Sequence, residues 1–197
     1  VSSGLALAYP KKYKLVNNFF EKYTDSKLPD SLVNKGIMHC VLKSDNQNYT
    51  NVLLTHLQCA YTEDNISLKK LSRYREIQLA QLNQLQNYIR RNKLQNYILM
   101  GDFNINKNIH DPLFMELLRL FGYKSKISSL PSVPTFPETN EIIDYIFIKN
   151  VKPGKTVVLG DRANIILQKN QNEKFKNPKH RDVSTISDHY AICLSMV

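Results

Sequence analysis

The sequence predicts an α/β sandwich with helices packed outside sheets. Short, wholly apolar runs recur along the chain, the pattern of strands buried in a sheet. Amphipathic stretches with helical periodicity lie between some of them. Several other connections are too short to hold a helix, which disfavours a strictly parallel βαβ order. The 197 residues, 42% apolar with 6 Gly and 8 Pro, suit one domain with a sizeable core and exclude disorder as the dominant state.

Taken in order, Ile37 to Leu42 reads as a strand that ends in the polar turn Ser44-Asp45-Asn46-Gln47-Asn48. Val52 to Leu57 is a second strand, and strand–turn–strand pairing is the simplest link between them. Residues 67–92 form a long helix, with Leu68, Leu71, Tyr74, Ile77, Leu82, Leu85 and Ile89 near one stripe. Tyr97-Ile98-Leu99-Met100 is a buried strand that stops at Gly101-Asp102. Asp111-Pro112 reads as an N-cap followed by a first-turn proline, and this helix carries Phe114, Leu117, Leu118 and Phe121 before stopping at Gly122. Ile142 to Ile148 and Tyr190 to Met196 are further strands, with weaker candidates at Val157-Val158-Leu159 and Ile165-Ile166-Leu167. Residues 168–182 are almost wholly polar and read as a surface loop.

Charge and composition narrow the partners. A formal charge of +10, from 27 Lys+Arg against 17 Asp+Glu, favours an anionic partner: nucleic acid, a phosphorylated small molecule or a membrane surface. No run approaches the ~18–20 apolar residues of a membrane span. Cys40, Cys59 and Cys193 are too few and too scattered for a disulfide framework or a zinc site, and read as structural thiols. The start, Val1 to Pro10, has neither an initiator Met nor a basic n-region, and reads as a cut inside a longer protein. It sets no compartment; secretion or membrane association stays open.

Four polar clusters stand at the ends of apolar runs, where a sheet delivers side chains to its rim. The first is Thr55-His56-Leu57-Gln58. A lone strand histidine is more often structural than catalytic, but here three polar residues end one apolar run. The second is Gly101-Asp102-Phe103-Asn104, whose carboxylate and amide oxygen suit Mg²⁺ or a water attacking a phosphate; a sheet-capping turn is the plain alternative. Asp144 lies inside an apolar strand and needs a partner, a His being the economical one. Ser187-Asp188-His189 precedes the last strand and offers a metal ligand, a general base or a turn. Two His, three Asp and one Asn at strand ends make the set that metal-assisted phosphoester hydrolysis requires.

These motifs, in this order, resemble the endonuclease/exonuclease/phosphatase superfamily of Mg²⁺-dependent phosphoesterases. The match rests on Thr55-His56-Leu57-Gln58, Gly101-Asp102-Phe103-Asn104, Ile143-Asp144-Tyr145-Ile146-Phe147 and Ser187-Asp188-His189, and it spans nearly the whole chain, including the helix of Arg75 and Gln78. The resemblance implies one domain over residues 1–197, a four-layer α/β sandwich with its active site at one edge of two packed, mostly antiparallel sheets. It implies that His189 is the general base or a phosphate-contacting imidazole, oriented by Asp144. Asp102 and Asn104 would position the attacking water and stabilise the phosphorus centre. His56 would hydrogen-bond a phosphoryl oxygen, and Asp188 would sit at the metal site, directly or through water. The implied cofactor is Mg²⁺, with Mn²⁺ or Co²⁺ as substitutes.

Within the superfamily the sphingomyelinase branch is the most similar. Leu54-Thr55-His56-Leu57-Gln58 resembles its His-Leu-Gln strand. Asp30 to Gly36 resembles its segment pairing an Asp with a Lys just before a Gly, so that Asp30 and Lys35 would couple a mobile loop to the site. The Cys-Asp-Arg motif of inositol-polyphosphate phosphatases and the Tyr-Val-Pro-Asn stretch of abasic-site endonucleases have no counterpart. The branch holds its metal with an early Glu that would fall upstream of residue 1, so the chain is expected to lack the first strands and half of the metal site. In place of an aromatic hairpin it has Lys169, Lys174, Lys176, Lys179, His180 and Arg181 around Phe175, a run that suits anionic lipid, a nucleic-acid backbone or solvent. The activity implied is hydrolysis of sphingomyelin to ceramide and phosphocholine at a phospholipid membrane surface. The alternatives are a nuclease of the same fold, or a non-catalytic lipid- or protein-binding fragment.

Overall fold

The computed structural model describes residues 3–60, 67–107, 112–122, 131, 133–136, 138–151, 153–158, 189 and 192–196. Its centre is a five-stranded mixed sheet in the order β1 (Tyr13–Lys22), β2 (Gly36–Ser44), β3 (Tyr49–His56), β4 (Tyr97–Asp102) and β5 (Asp144–Lys149). The polar turn at 44–48 closes an antiparallel β2–β3 pair, as the pattern requires. Helix α1 (Leu68–Arg91) is long enough to cross the sheet and return, so β3 and β4 run parallel; β4 and β5 are antiparallel.

Strand alternation sorts the side chains onto two faces. Leu53, Leu99, Tyr145 and Phe147 point to one side and pack against Leu82, Leu85 and Ile89 of α1 in the main core. The short helix α2 (Pro112–Leu117) and the wider turn Leu118–Gly122 add Phe114, Leu117 and Phe121 to that core. On the other face Cys40, Leu42, Val52 and Leu54 form a smaller cluster, covered in part by Leu5, Leu7 and Tyr13. Ile98, Ile146 and Ile148 form a third.

Ser67 caps α1 by accepting the Lys70 amide, and Arg90 and Arg91 close its last turn, where a cation complements the helix dipole. The buried stripe is Tyr74, Gln78, Gln81, Leu82, Leu85, Tyr88 and Ile89, whereas Leu68, expected in it, is 84% exposed. Leu68 stands in the first turn, ahead of the part of α1 that lies over the sheet.

Strand β1 has no counterpart in the sequence reading. It is an edge strand that leaves Leu15, Val16, Phe19 and Phe20 exposed, so its residues lack a buried–exposed alternation, and a bulge between Leu15 and Asn17 breaks the period. Its lysines are a usual means of discouraging edge-to-edge pairing. β6 (Pro153–Val158) and β7 (Ile192–Met196) pair antiparallel in a separate two-stranded sheet. The described residues thus form a mixed α/β fold with one five-stranded sheet and one strand pair, and the expected four-layer sandwich is not complete among them. The candidate strand at 165–167 and the loop at 168–182 lie outside the described residues. No helix among the described residues is long and apolar enough to cross a membrane.

Candidate active site

Sheet register assembles the site. On the face turned away from α1, β3 carries Val52, Leu54 and His56, β4 carries Ile98, Met100 and Asp102, and β5 carries Ile148, Ile146 and Asp144. His56 is directly opposite Asp102, and Asp102 is directly opposite Asp144, so three polar residues make one row across three strands. Each ends an apolar series on its own strand. Gly101 is what lets β4 turn its end toward this row: at φ +148 it lies 1.9 Å, measured from an added Cβ, from the Thr55 carbonyl oxygen. No other residue has room there.

His189 completes the group. Its Nδ1 lies 2.8 Å from Asp144 Oδ2, the partner that a carboxylate inside an apolar strand demands. Its Nε2 faces Asp102 Oδ2 at 3.9 Å, and His56 Nε2 approaches the same oxygen at 3.3 Å. The Asn104 amide donates to Asp102 Oδ1 at 2.7 Å in a local Asx turn, helped by Asn104 adopting φ +52. Asn104 Nδ2 donates to the Leu57 carbonyl at 3.0 Å, which leaves the amide oxygen as the group it offers the cleft.

Beneath the row, the segment after β3 is held from several sides. Lys35 Nζ donates to Asp30 Oδ2 at 2.7 Å and to the Leu57 carbonyl at 2.8 Å. Asp30 Oδ2 also accepts the Cys59 amide at 2.7 Å. From α1, Gln81 Oε1 accepts the Gln58 amide at 2.8 Å, while Gln78 Nε2 donates to the carbonyls of Gln58 and Asn104 at 2.8 and 2.9 Å. Thr55 and Gln58 are both fully buried: Thr55 Oγ1 bonds the Tyr23 hydroxyl and donates to the Gly36 carbonyl, and the Gln58 side chain accepts the Lys27 amide and donates to the Cys59 carbonyl, so of the Thr-His-Leu-Gln cluster only His56 reaches the cleft.

The cleft has a volume of about 540 Å³ and is lined by Asp30, Lys35, His56, Asp102, Asn104 and His189, with Phe136 and Glu141 on its rim. Burial pushes the Asp102 carboxyl up to about 7; the charge of Asp144 adds to this, and His189 and the Asn104 amide oppose it. Burial, with the Lys35 ammonium next, lowers His56 to about 4, so its imidazole is neutral near pH ~7. A third histidine, His39, takes no part. It is buried within β2, opposite Leu53, between the Tyr88 hydroxyl and Asn51 Oδ1, both at 3.0 Å.

The residues singled out in the sequence thus meet at one sheet end: His56, Asp102, Asn104, Asp144 and His189 at the row, Asp30 and Lys35 just below it. Asp188 lies outside the described residues. The sequence reading missed Gln78 and Gln81 as supports of the site; their signal was a polar residue in a helix stripe otherwise buried and apolar. It also missed Phe136 and Glu141, which no spacing marks.

No protein-family model and no curated protein sequence matches the chain. Solved structures do. SmcL superposes with a TM-score of 0.62 at 20% identity, over 75% of this chain and 56% of that one. Beta toxin from Staphylococcus aureus, a F277A, P278A mutant with bound magnesium ions, gives 0.63 at 18% identity, over 94% and 66%. Sphingomyelinase C from Streptomyces griseocarneus gives 0.60 at 15% identity, over 93% and 65%. The chain shares the fold of these three structures. An endonuclease/exonuclease/phosphatase family protein from Bacteroides thetaiotaomicron shares it. The chain spans 56% to 66% of the length of the three structures compared above.

The site has the donors for a divalent cation. Ligand atoms of Asp102, Asp144 and His189 lie within 4.8 Å of one another. Carboxylate oxygens are hard donors, suited to Mg²⁺. The charge of Asp144 also raises the cost of ionising Asp102, which a nearby cation relieves.

Proposed function

We propose that the chain is the core of a Mg²⁺-dependent phosphodiesterase that hydrolyses sphingomyelin to ceramide and phosphocholine. The observation that carries this reading is the His56–Asp102–Asp144 row with His189 hydrogen-bonded to Asp144, at the end of a sphingomyelinase-type sheet. Asp144 holds the Nδ1–H of His189, so Nε2 is the atom that takes a proton from an attacking water or returns one to the leaving oxygen. Asp102, fixed by the Asn104 amide, orients that water. Neutral His56 contacts a phosphoryl oxygen, and the Asn104 amide oxygen helps to position the attacking water. A bound Mg²⁺ would supply charge neutralisation as the phosphorus centre gains negative charge. Asp102, Asp144 and Asp188 are the residues proposed to hold it. Asp30 and Lys35 are proposed to couple the neighbouring loop to the site.

The charge of the cleft favours lipid over nucleic acid. Net charge, at +10, favours a nuclease. Yet among the described lining residues the one Lys or Arg is Lys35, and it is tied to Asp30. Asp102 and Glu141 make the rest of the lining acidic, which repels a polyanion. A membrane-surface partner is supported by β1, where exposed Leu15, Val16, Phe19 and Phe20 are flanked by exposed Lys11, Lys12, Lys14 and Lys22.

The test offers sphingomyelin vesicles and plasmid DNA separately, each with Mg²⁺ or EDTA, to this chain, to the longest available form of the protein and to His189→Ala. Phosphocholine release that needs Mg²⁺ and His189 is the expected result. Nicked plasmid would move the assignment to a nuclease. Silence of every form on both substrates would leave a non-catalytic fragment.

A further inference from the structure

The cleft has a rim built for a cation. Phe136 and Glu141 face each other as a hydrogen-bonded pair: each amide donates to the other's carbonyl at 3.0 Å. That pairing puts both side chains on one side of the ribbon, with Cα atoms about 5.5 Å apart. Both line the cleft that holds His56, Asp102 and His189. The Phe136 ring is packed on the His189 imidazole, centroids 4.9 Å apart and tilted by 42°. The Glu141 carboxylate is held by Asn106 Nδ2 at 3.0 Å and by the Thr139 hydroxyl at 2.5 Å.

We propose that Phe136 and Glu141 form the subsite for the quaternary ammonium of the substrate headgroup, and so decide which phosphodiester is cleaved. An aromatic face attracts a cation through its quadrupole, and the adjacent carboxylate adds opposite charge. A trimethylammonium donates no hydrogen bond. It therefore takes nothing from a carboxylate that already accepts from Asn106 on one oxygen and from Thr139 on the other, whereas a primary ammonium needs acceptors of its own. Reach agrees as well. In phosphocholine the ammonium stands two carbons from the ester oxygen, comparable to the step from His189 to the ring packed on it.

This inference rests on the phosphodiesterase reading, and the experiment separates the two. Hydrolysis of sphingomyelin and of ceramide phosphoethanolamine is compared in mixed detergent micelles with saturating Mg²⁺. The wild type, Phe136→Leu, Phe136→Trp and Glu141→Gln are measured in parallel. The expected wild type prefers the choline substrate in kcat/KM. Phe136→Leu and Glu141→Gln lose about fivefold to thirtyfold of that preference, through KM for sphingomyelin, and Phe136→Trp keeps or raises it. An unchanged ratio in both variants overturns the subsite, and so does an equal loss on the two substrates, which would make Phe136 a support for His189. If the wild type cleaves neither substrate, the activity reading fails. Tetramethylammonium titration, followed by the NMR signals of the His189 ring, still decides the subsite: it stands if they move in the wild type and not in Phe136→Leu, and falls otherwise.

Discussion

Replacing Lys35 by Met tests whether the ion pair beneath the site holds the segment after β3. Lys35 and Asp30 are only 6% and 7% exposed in their side chains, and the ammonium also reaches the Leu57 carbonyl. Removing one partner of a buried pair costs about 3–5 kcal/mol, because the other charge stays buried. Two features place Lys35→Met near the lower end. Asp30 keeps the Cys59 amide as a donor, and the Leu57 carbonyl keeps Asn104 Nδ2. A cost of ~3 kcal/mol lowers the melting temperature by about 6–12 °C in a domain of this size. Asp30→Asn with Lys35→Met restores charge balance and should lose distinctly less than the two single changes summed. The assay is urea and thermal unfolding of the four proteins of the cycle, with a coupling energy of at least ~2 kcal/mol expected. A single-variant cost below ~1 kcal/mol, the range of an exposed pair, would refute the reasoning.

Three further outcomes are expected. His189→Ala should lower phosphodiester hydrolysis by about 10²–10⁴-fold, with little change in melting temperature because the side chain is part-exposed; a matching stability loss would make the ring structural. Asp102, raised to about 7 from a usual 3.8, keeps in the folded state a proton the unfolded chain releases, so its contribution to stability falls as pH rises through that window. A divalent cation removes this cost, so Mg²⁺ should raise the melting temperature more at about pH 8 than at about pH 5; an equal gain at both would contradict it. Gly101→Ala would drive a Cβ to within 1.9 Å of the Thr55 carbonyl oxygen and should prevent stable folding, readable as loss of near-UV circular dichroism.

Much of the site was legible in the sequence because its residues interrupt patterns. Asp144 breaks an apolar strand and demanded a partner, which the fold supplied in His189, and Asp102 ends an apolar strand. Other parts left no such mark. β1 was missed because an exposed edge strand needs no alternation, and its bulge disturbs what period there is. Gln78 and Gln81 stand out only as polar residues in a largely apolar helix stripe, and what they hold, two carbonyls and an amide, is decided by the fold.

By itself the sequence determined the strands from β2 to β5, the long helix between β3 and β4, and which side chains end their strands as polar residues. Local period and composition are enough for that, since a strand or helix face is a property of its own residues. Only the tertiary structure decided that His56, Asp102 and Asp144 share one row, that His189 turns its Nδ1 to Asp144, and that Phe136 and Glu141 border the same cleft. Those facts depend on contacts between segments far apart in the chain, and a one-residue slip of β3, β4 or β5 would send its member of the His56–Asp102–Asp144 row to the opposite face of the sheet.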